Sequence, residues 1–120
     1  MKAEKITIET VQQATRAIDA LGSTNSELMA TRAVHINVLA RDVPGQEARL
    51  LKRTYNDVGA EVAVSHDVYY EKEGAVTDII VMGTVYQHRE VRRILGESPM
   101  AARLIAAIEV VVENASETLG

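Results

Sequence analysis

The chain contains no cysteine, no phenylalanine and no tryptophan. Without thiols it can form no disulfide, thiolate metal site, iron–sulfur cluster or cysteine nucleophile, and a zinc site built on its 3 histidines would need carboxylates to complete it. Side-chain redox chemistry is excluded, and neither a cofactor nor a bound metal is expected. Phe and Trp bury the most area and offer the platforms on which bases stack, so their absence demands an aliphatic core and weakens any case for nucleic acid. Long apolar runs are also missing. Nothing approaches the roughly 20 residues needed to span a bilayer, and the opening MKAEKITIE lacks the continuous apolar segment of a secretory signal. A cytoplasmic location without a membrane partner is the expectation. No Gly-rich phosphate loop, H-E-x-x-H, paired acidic metal motif or G-x-S-x-G occurs, which removes the common enzyme classes.

What is present suits one soluble α+β domain spanning 1–120, with 47% hydrophobic and 25% charged residues. The organising stretch runs from Arg32 to Tyr70. Val34, Ile36 and Val38 alternate with His35, Asn37 and Leu39, the period of two of a strand whose faces meet different surroundings. Asp42 and Pro44 then punctuate the pattern, proline presetting the first helical turn and aspartate accepting from its free amides. Ala48, Leu51, Tyr55 and Val58 recur at helical spacing until Gly59 stops the helix, and Glu61 to Tyr70 alternates again as a second strand.

Upstream, Ile8, Val11, Ala14, Ile18 and Leu21 predict an N-terminal helix over Thr7 to Leu21 capped by Thr7, and Glu27 to Arg32 suits one further helical turn. Downstream, Glu71 to Gly74 reads as a hairpin connection, and Val76 to Tyr86 as a third strand antiparallel to the second. Ile79, Ile80, Val81 and Met82 are consecutive, so both faces of that strand should be covered, the second most simply by another subunit. Arg89 to Leu95 reads as a short helix, with a strand as the alternative. Ser98-Pro99 then opens a long helix through Ile108–Val112 to Glu113, because no turn residue interrupts it.

Strand, Asp42-Val43-Pro44-Gly45, helix, Gly59-Ala60, strand, strand, helix resembles the opening of the ACT domain, a small regulatory module with a ferredoxin-like core, over roughly Val34 to Leu95. The resemblance implies a β-α-β-β-α core sheet with helices on one face, here with added N-terminal and C-terminal helices. It further implies that an effector binds at a subunit interface near Asp42, Gly45 and Gln46. Gln46 and Glu47 stand where that family usually has aliphatic residues, and an uninterrupted last helix deletes its final strand. A weaker similarity is to the end of a thioredoxin-like domain, which without cysteines would not be redox-active.

Read from the residues, His35, Asn37, Ser65, Asp67, Asp78 and Thr84 should share one sheet face, where His35 and Asp67 would make an oriented acid–base pair. The plainer reading is a wet face or one that meets another subunit. His66 falls in the other register, as a core or rim histidine. Tyr86 to Glu90 gathers His88, Arg89 and Glu90 at a strand-to-helix junction suited to anions. The leading expectation is a non-catalytic regulatory or sensory module: a homo-oligomer, a dimer in the simplest case, binding a small polar or anionic metabolite through Asp42, Gly45, Gln46 and Arg89. The alternative is a cofactor-independent isomerase or lyase using His35 with Asp67, or His88 with Glu90. RNA binding through Arg89, Arg92, Arg93 and Arg103 comes third, because a net charge of −4 repels phosphate backbones.

Overall fold

The computed structural model describes residues 1–69 and 74–117. In chain order its elements are α1 (Val11–Asp19), α2 (Ser26–Ala30), β1 (His35–Pro44), α3 (Gly45–Asp57), β2 (Glu61–Ala63), α4 (His66–Tyr69), β3 (Val76–Thr84), α5 (Val85–Leu95) and α6 (Ala102–Glu117). The architecture is α+β: a three-stranded antiparallel sheet in the order β1-β3-β2, with both neighbours of β3 antiparallel to it.

Local chemistry places most boundaries. The cap of α1 is Thr10, whose hydroxyl accepts from the Gln13 amide at 3.1 Å, and not Thr7; Ile8 packs against the core ahead of the helix. β1 continues past Leu39 to Pro44 because a bulge between Ala40 and Val43 resets the alternation and turns Val43, 3% exposed, back to the core. The bulge holds Asp42 at φ 56, a left-handed conformation that aspartate tolerates, with its amide donating to the Asp78 carboxylate at 3.0 Å. Asp42 therefore does not cap α3. Pro44 takes the N-cap position without a side-chain bond, and Gly45 is the first helical residue. Gly59, at φ 84, closes the chain after α3 as expected.

β2 ends at Ala63, seven residues short of the expected Tyr70. The chain turns there because the Ser65 amide donates to the Thr77 hydroxyl at 3.1 Å, and α4 then brings Val68 into the core at 0% exposure. His66 consequently sits on α4 facing solvent beside Asp67, not at a core or rim position of a strand. The expected hairpin connection lies largely outside the described residues. β3 stops at Thr84, two residues early, where a capping box forms: the Thr84 hydroxyl accepts from the Gln87 amide at 3.1 Å and the Gln87 side chain accepts from the Thr84 amide at 2.9 Å. Arg89 to Leu95 is thus helical within the longer α5. Ile108–Val112 is helical within α6, which begins at Ala102, after Ser98 has accepted the Ala101 and Ala102 amides through its carbonyl.

The helices gather on one side: α3 packs on β2 and β3, α5 on β3 and α6, and α6 on β1. Beneath them Ile36, Val38, Val62, Ile79 and Val81 belong to an aliphatic core that Tyr55 joins. The opposite face carries His35, Asn37, Leu39, Asp78, Ile80, Met82 and Thr84, and no element among the described residues covers it. Nor is any helix among the described residues long and apolar enough to cross a membrane.

Candidate functional site

Successive turns of α1 place Val11 and Gln12, then Thr15 and Arg16, along one flank. With Glu27 of α2, Thr31 just after it and Arg89 of α5, they line an open groove of about 600 Å³. Backbone bonds tie the start of α5 to the chain that follows α2: Tyr86 donates to the Thr31 carbonyl and Val85 to the Val34 carbonyl, each at 2.9 Å. Nearby, Arg32 stacks on the Tyr86 ring at 4.2 Å from its centroid.

The groove wall carries the guanidiniums of Arg16 and Arg89 and the carboxylate of Glu27, and Glu113 beside it offsets the charge of Arg89. Arg89 is held by a bidentate pair with Glu113, Nε and Nη2 donating at 2.9 and 2.8 Å. That bond draws the Glu113 carboxyl below its ordinary range and raises the Arg89 guanidinium above its own. Arg89 is therefore a fixed cation whose Nη1 makes no hydrogen bond within the described residues, whereas exposed Arg16 forms no ion pair there. The Thr15 and Thr31 hydroxyls donate to helix carbonyls at 2.8 and 2.7 Å, which leaves their oxygens able to accept. Such a wall suits a small anion that also carries hydroxyl or amino donors.

Of the residues singled out in the sequence, Arg89 alone lines this groove. Asp42, Gly45 and Gln46 sit at the far end of β1. There the Gly45 amide is already spent on the Ala75 carbonyl at 2.9 Å, and Gly45 is buried, so its backbone offers a ligand nothing. Gln46 borders a separate surface hollow with Arg49, Leu50, Arg53, Ser98 and Met100.

Both acid–base pairs come apart. His35 lies opposite Thr84 and bonds Asn37 at 2.9 Å, whereas Asp67 follows Ser65, which is tied to Thr77. Those two anchor points on β3 are on the order of 23 Å apart, at ~3.3 Å per strand residue. Ser65 and Asp67 also leave the sheet face that His35, Asn37, Asp78 and Thr84 share, because β2 ends before them. His88 turns inward while Glu90 turns out to Arg93 at 2.9 Å. The arginines proposed for RNA are mostly neutralised in place: Arg89 by Glu113, Arg92 by Glu109 at 2.7 Å and Arg93 by Glu90.

His88 is instead a structural link. Its Nε2 meets the Ile36 carbonyl at 2.9 Å, which requires the hydrogen on Nε2, so Nδ1 accepts from the Tyr55 hydroxyl at 2.8 Å. Burial pushes the His88 pKa down and that of Tyr55 up, leaving both neutral. The link borders a cavity of about 10 Å³ under α6, room for one water at most.

Sequence reasoning missed Arg16 and the α1 flank because exposed polar residues on an amphipathic helix read as solvent-facing. The signal for the Tyr55–His88 link was the hydroxyl on an otherwise apolar stripe, which needs a buried partner.

Comparison with known proteins returned no match of any kind: no family model, no curated protein and no solved structure is significantly similar to this chain.

Proposed function

We propose that this chain is a non-catalytic regulatory or sensory module that binds a small polar or anionic metabolite in the groove between α1, α2 and α5. The observation that carries this reading is the open groove itself, about 600 Å³ with Arg16 and Arg89 on its wall. The ACT-like reading is supported by the order β1-α3-β2-α4-β3-α5 with β3 in the centre of the sheet, although α4 interrupts the expected strand-to-strand connection. Relative to that resemblance the ligand site is moved, since the turn at Gly45 is closed by its own backbone bond. Separation of His35 from Asp67 and the inward turn of His88 weigh against acid–base chemistry.

Calorimetric titration with inorganic phosphate and with short mono- and dicarboxylates, free and hydroxylated, tests the reading. Arg16→Gln should weaken whichever anion binds by about tenfold, equivalent to about 1.4 kcal/mol, while leaving the unfolding midpoint in place. Anion binding that Arg16→Gln does not change would move the site elsewhere. RNA binding that collapses with added salt would replace the reading altogether.

A further inference from the structure

We propose that the free edge of β1 and the outer flank of α6 form one homodimer surface, across which β1 pairs antiparallel with its own copy around a two-fold axis near Asn37. This stands independently of the groove. The bond from the Val85 amide to the Val34 carbonyl fixes the phase of the β1–β3 ladder. By alternation Ile36 and Val38 direct their backbone groups at β3, and His35, Asn37 and Leu39 direct theirs the other way. On that side β1 has no neighbouring strand among the described residues. Edge strands are ordinarily blunted by charge, proline or a bulge. Here those devices, Arg41, the bulge at Asp42 and Pro44, are confined to the C-terminal end, leaving 35–39 open to a partner strand.

The second half of the surface is helical. Glu109 and Glu113 face α5 through Arg92 and Arg89. At 3.6 residues per turn, the opposite flank of α6 is then Leu104, Ala107, Val111 and Ala115. Ala107 is exposed and Val111 is 44% exposed. Since α6 packs on β1, this apolar flank borders the unpaired edge. The His88 side chain sets the two at one level: it bonds Ile36 and lines the small cavity with Ile108 and Val112, so the middle of α6 lies beside Ile36 and Asn37. One axis therefore serves both surfaces.

Self-complementarity selects a second copy over a foreign strand. With the helices antiparallel about that axis, Leu104 meets Ala115 of the partner subunit and Ala107 meets Val111 of the partner subunit, large against small each time. On the strand, Asn37 opposes its own copy and His35 opposes Leu39 of the partner subunit, with no like charges in register.

Sedimentation equilibrium tests this up to about 100 µM, well above the dissociation constant of a standard-sized interface. Wild type should be dimeric. Asn37→Pro, which removes an outward amide and no β1–β3 bond, and Val111→Lys should each weaken the dimer at least about tenfold with circular dichroism unchanged. Should Asn37→Pro fail to fold, Val111→Lys decides alone. A monomeric wild type overturns the proposal. So does a dimer indifferent to Val111→Lys, whose contact would then lie elsewhere, such as the bare sheet face around Leu39 and Ile80.

Discussion

Ile79 and Ile80 are neighbours on β3 with the same side chain, yet Ile79 is 1% exposed beneath the helices and Ile80 is 44% exposed on the bare face. The same division separates the histidines. His88, on the covered side, has both ring nitrogens bonded and is held neutral by burial. His35, on the bare side, bonds the nearby Asn37 and stays exposed to water. Polar chemistry on the covered face is thus committed to holding the fold, and what remains free to meet other molecules lies on the bare face, the groove and the β1 edge.

The sharpest way to break that comparison is a pair of truncations. Ile79→Ala should cost about 2–5 kcal/mol in denaturant unfolding, whereas Ile80→Ala should cost under about 1 kcal/mol, because only the first leaves a cavity. Equal losses would mean that the bare face is covered in solution. Next in size, Tyr55→Phe strands Nδ1 of His88 in the core and should cost about 1–3 kcal/mol, while His35→Ala on the other face should stay within about 0.5 kcal/mol. A smaller loss is expected at Gly45, where an added Cβ would lie 3.0 Å from the Ala75 carbonyl and 3.5 Å from Val68. Gly45→Ala should therefore destabilise by about 1–2 kcal/mol through crowding, and calorimetric melting reads it. A neutral result would show the turn to be looser than its packing, and would reopen it as a ligand site.

Acid titration gives the smallest and most gradual effect. Because burial lowers the folded pKa of His88, the unfolded chain takes up this proton first. Stability from this group is complete above the unfolded value of about 6.5 and is lost as pH falls below it. Unfolding free energy measured from pH 7 downward should decline over this range in wild type, and His88→Gln should flatten that part of the decline. An unchanged slope would place the titrating group elsewhere.

How legible each feature was depended on how local its cause is. Helix α3 could be read from its stripe, and β1 from its alternation, because burial of one face imposes those periods directly. β2 was read too long because Glu61 to Tyr70 alternates throughout; its end is set by Thr77, on another strand, which takes the Ser65 amide. Thr7 and Thr10 are equally good caps in isolation, and the packing of Ile8 decides between them. Arg89 lines the groove, but its neighbours there come from α1 and α2, whose polar residues read as solvent-facing in the sequence.

By itself, then, the sequence determined what depends on composition and short-range pattern: an aliphatic core without thiols, an α+β chain with antiparallel second and third strands, and a long final helix. Only the tertiary structure decided where β2 stops, that His88 answers the Tyr55 hydroxyl, that Gly45 has no free amide, and that Arg16 and Arg89 share a wall. Each of those rests on a hydrogen bond or a packing contact between residues far apart in the chain, and neither helical nor strand periodicity carries information over such separations.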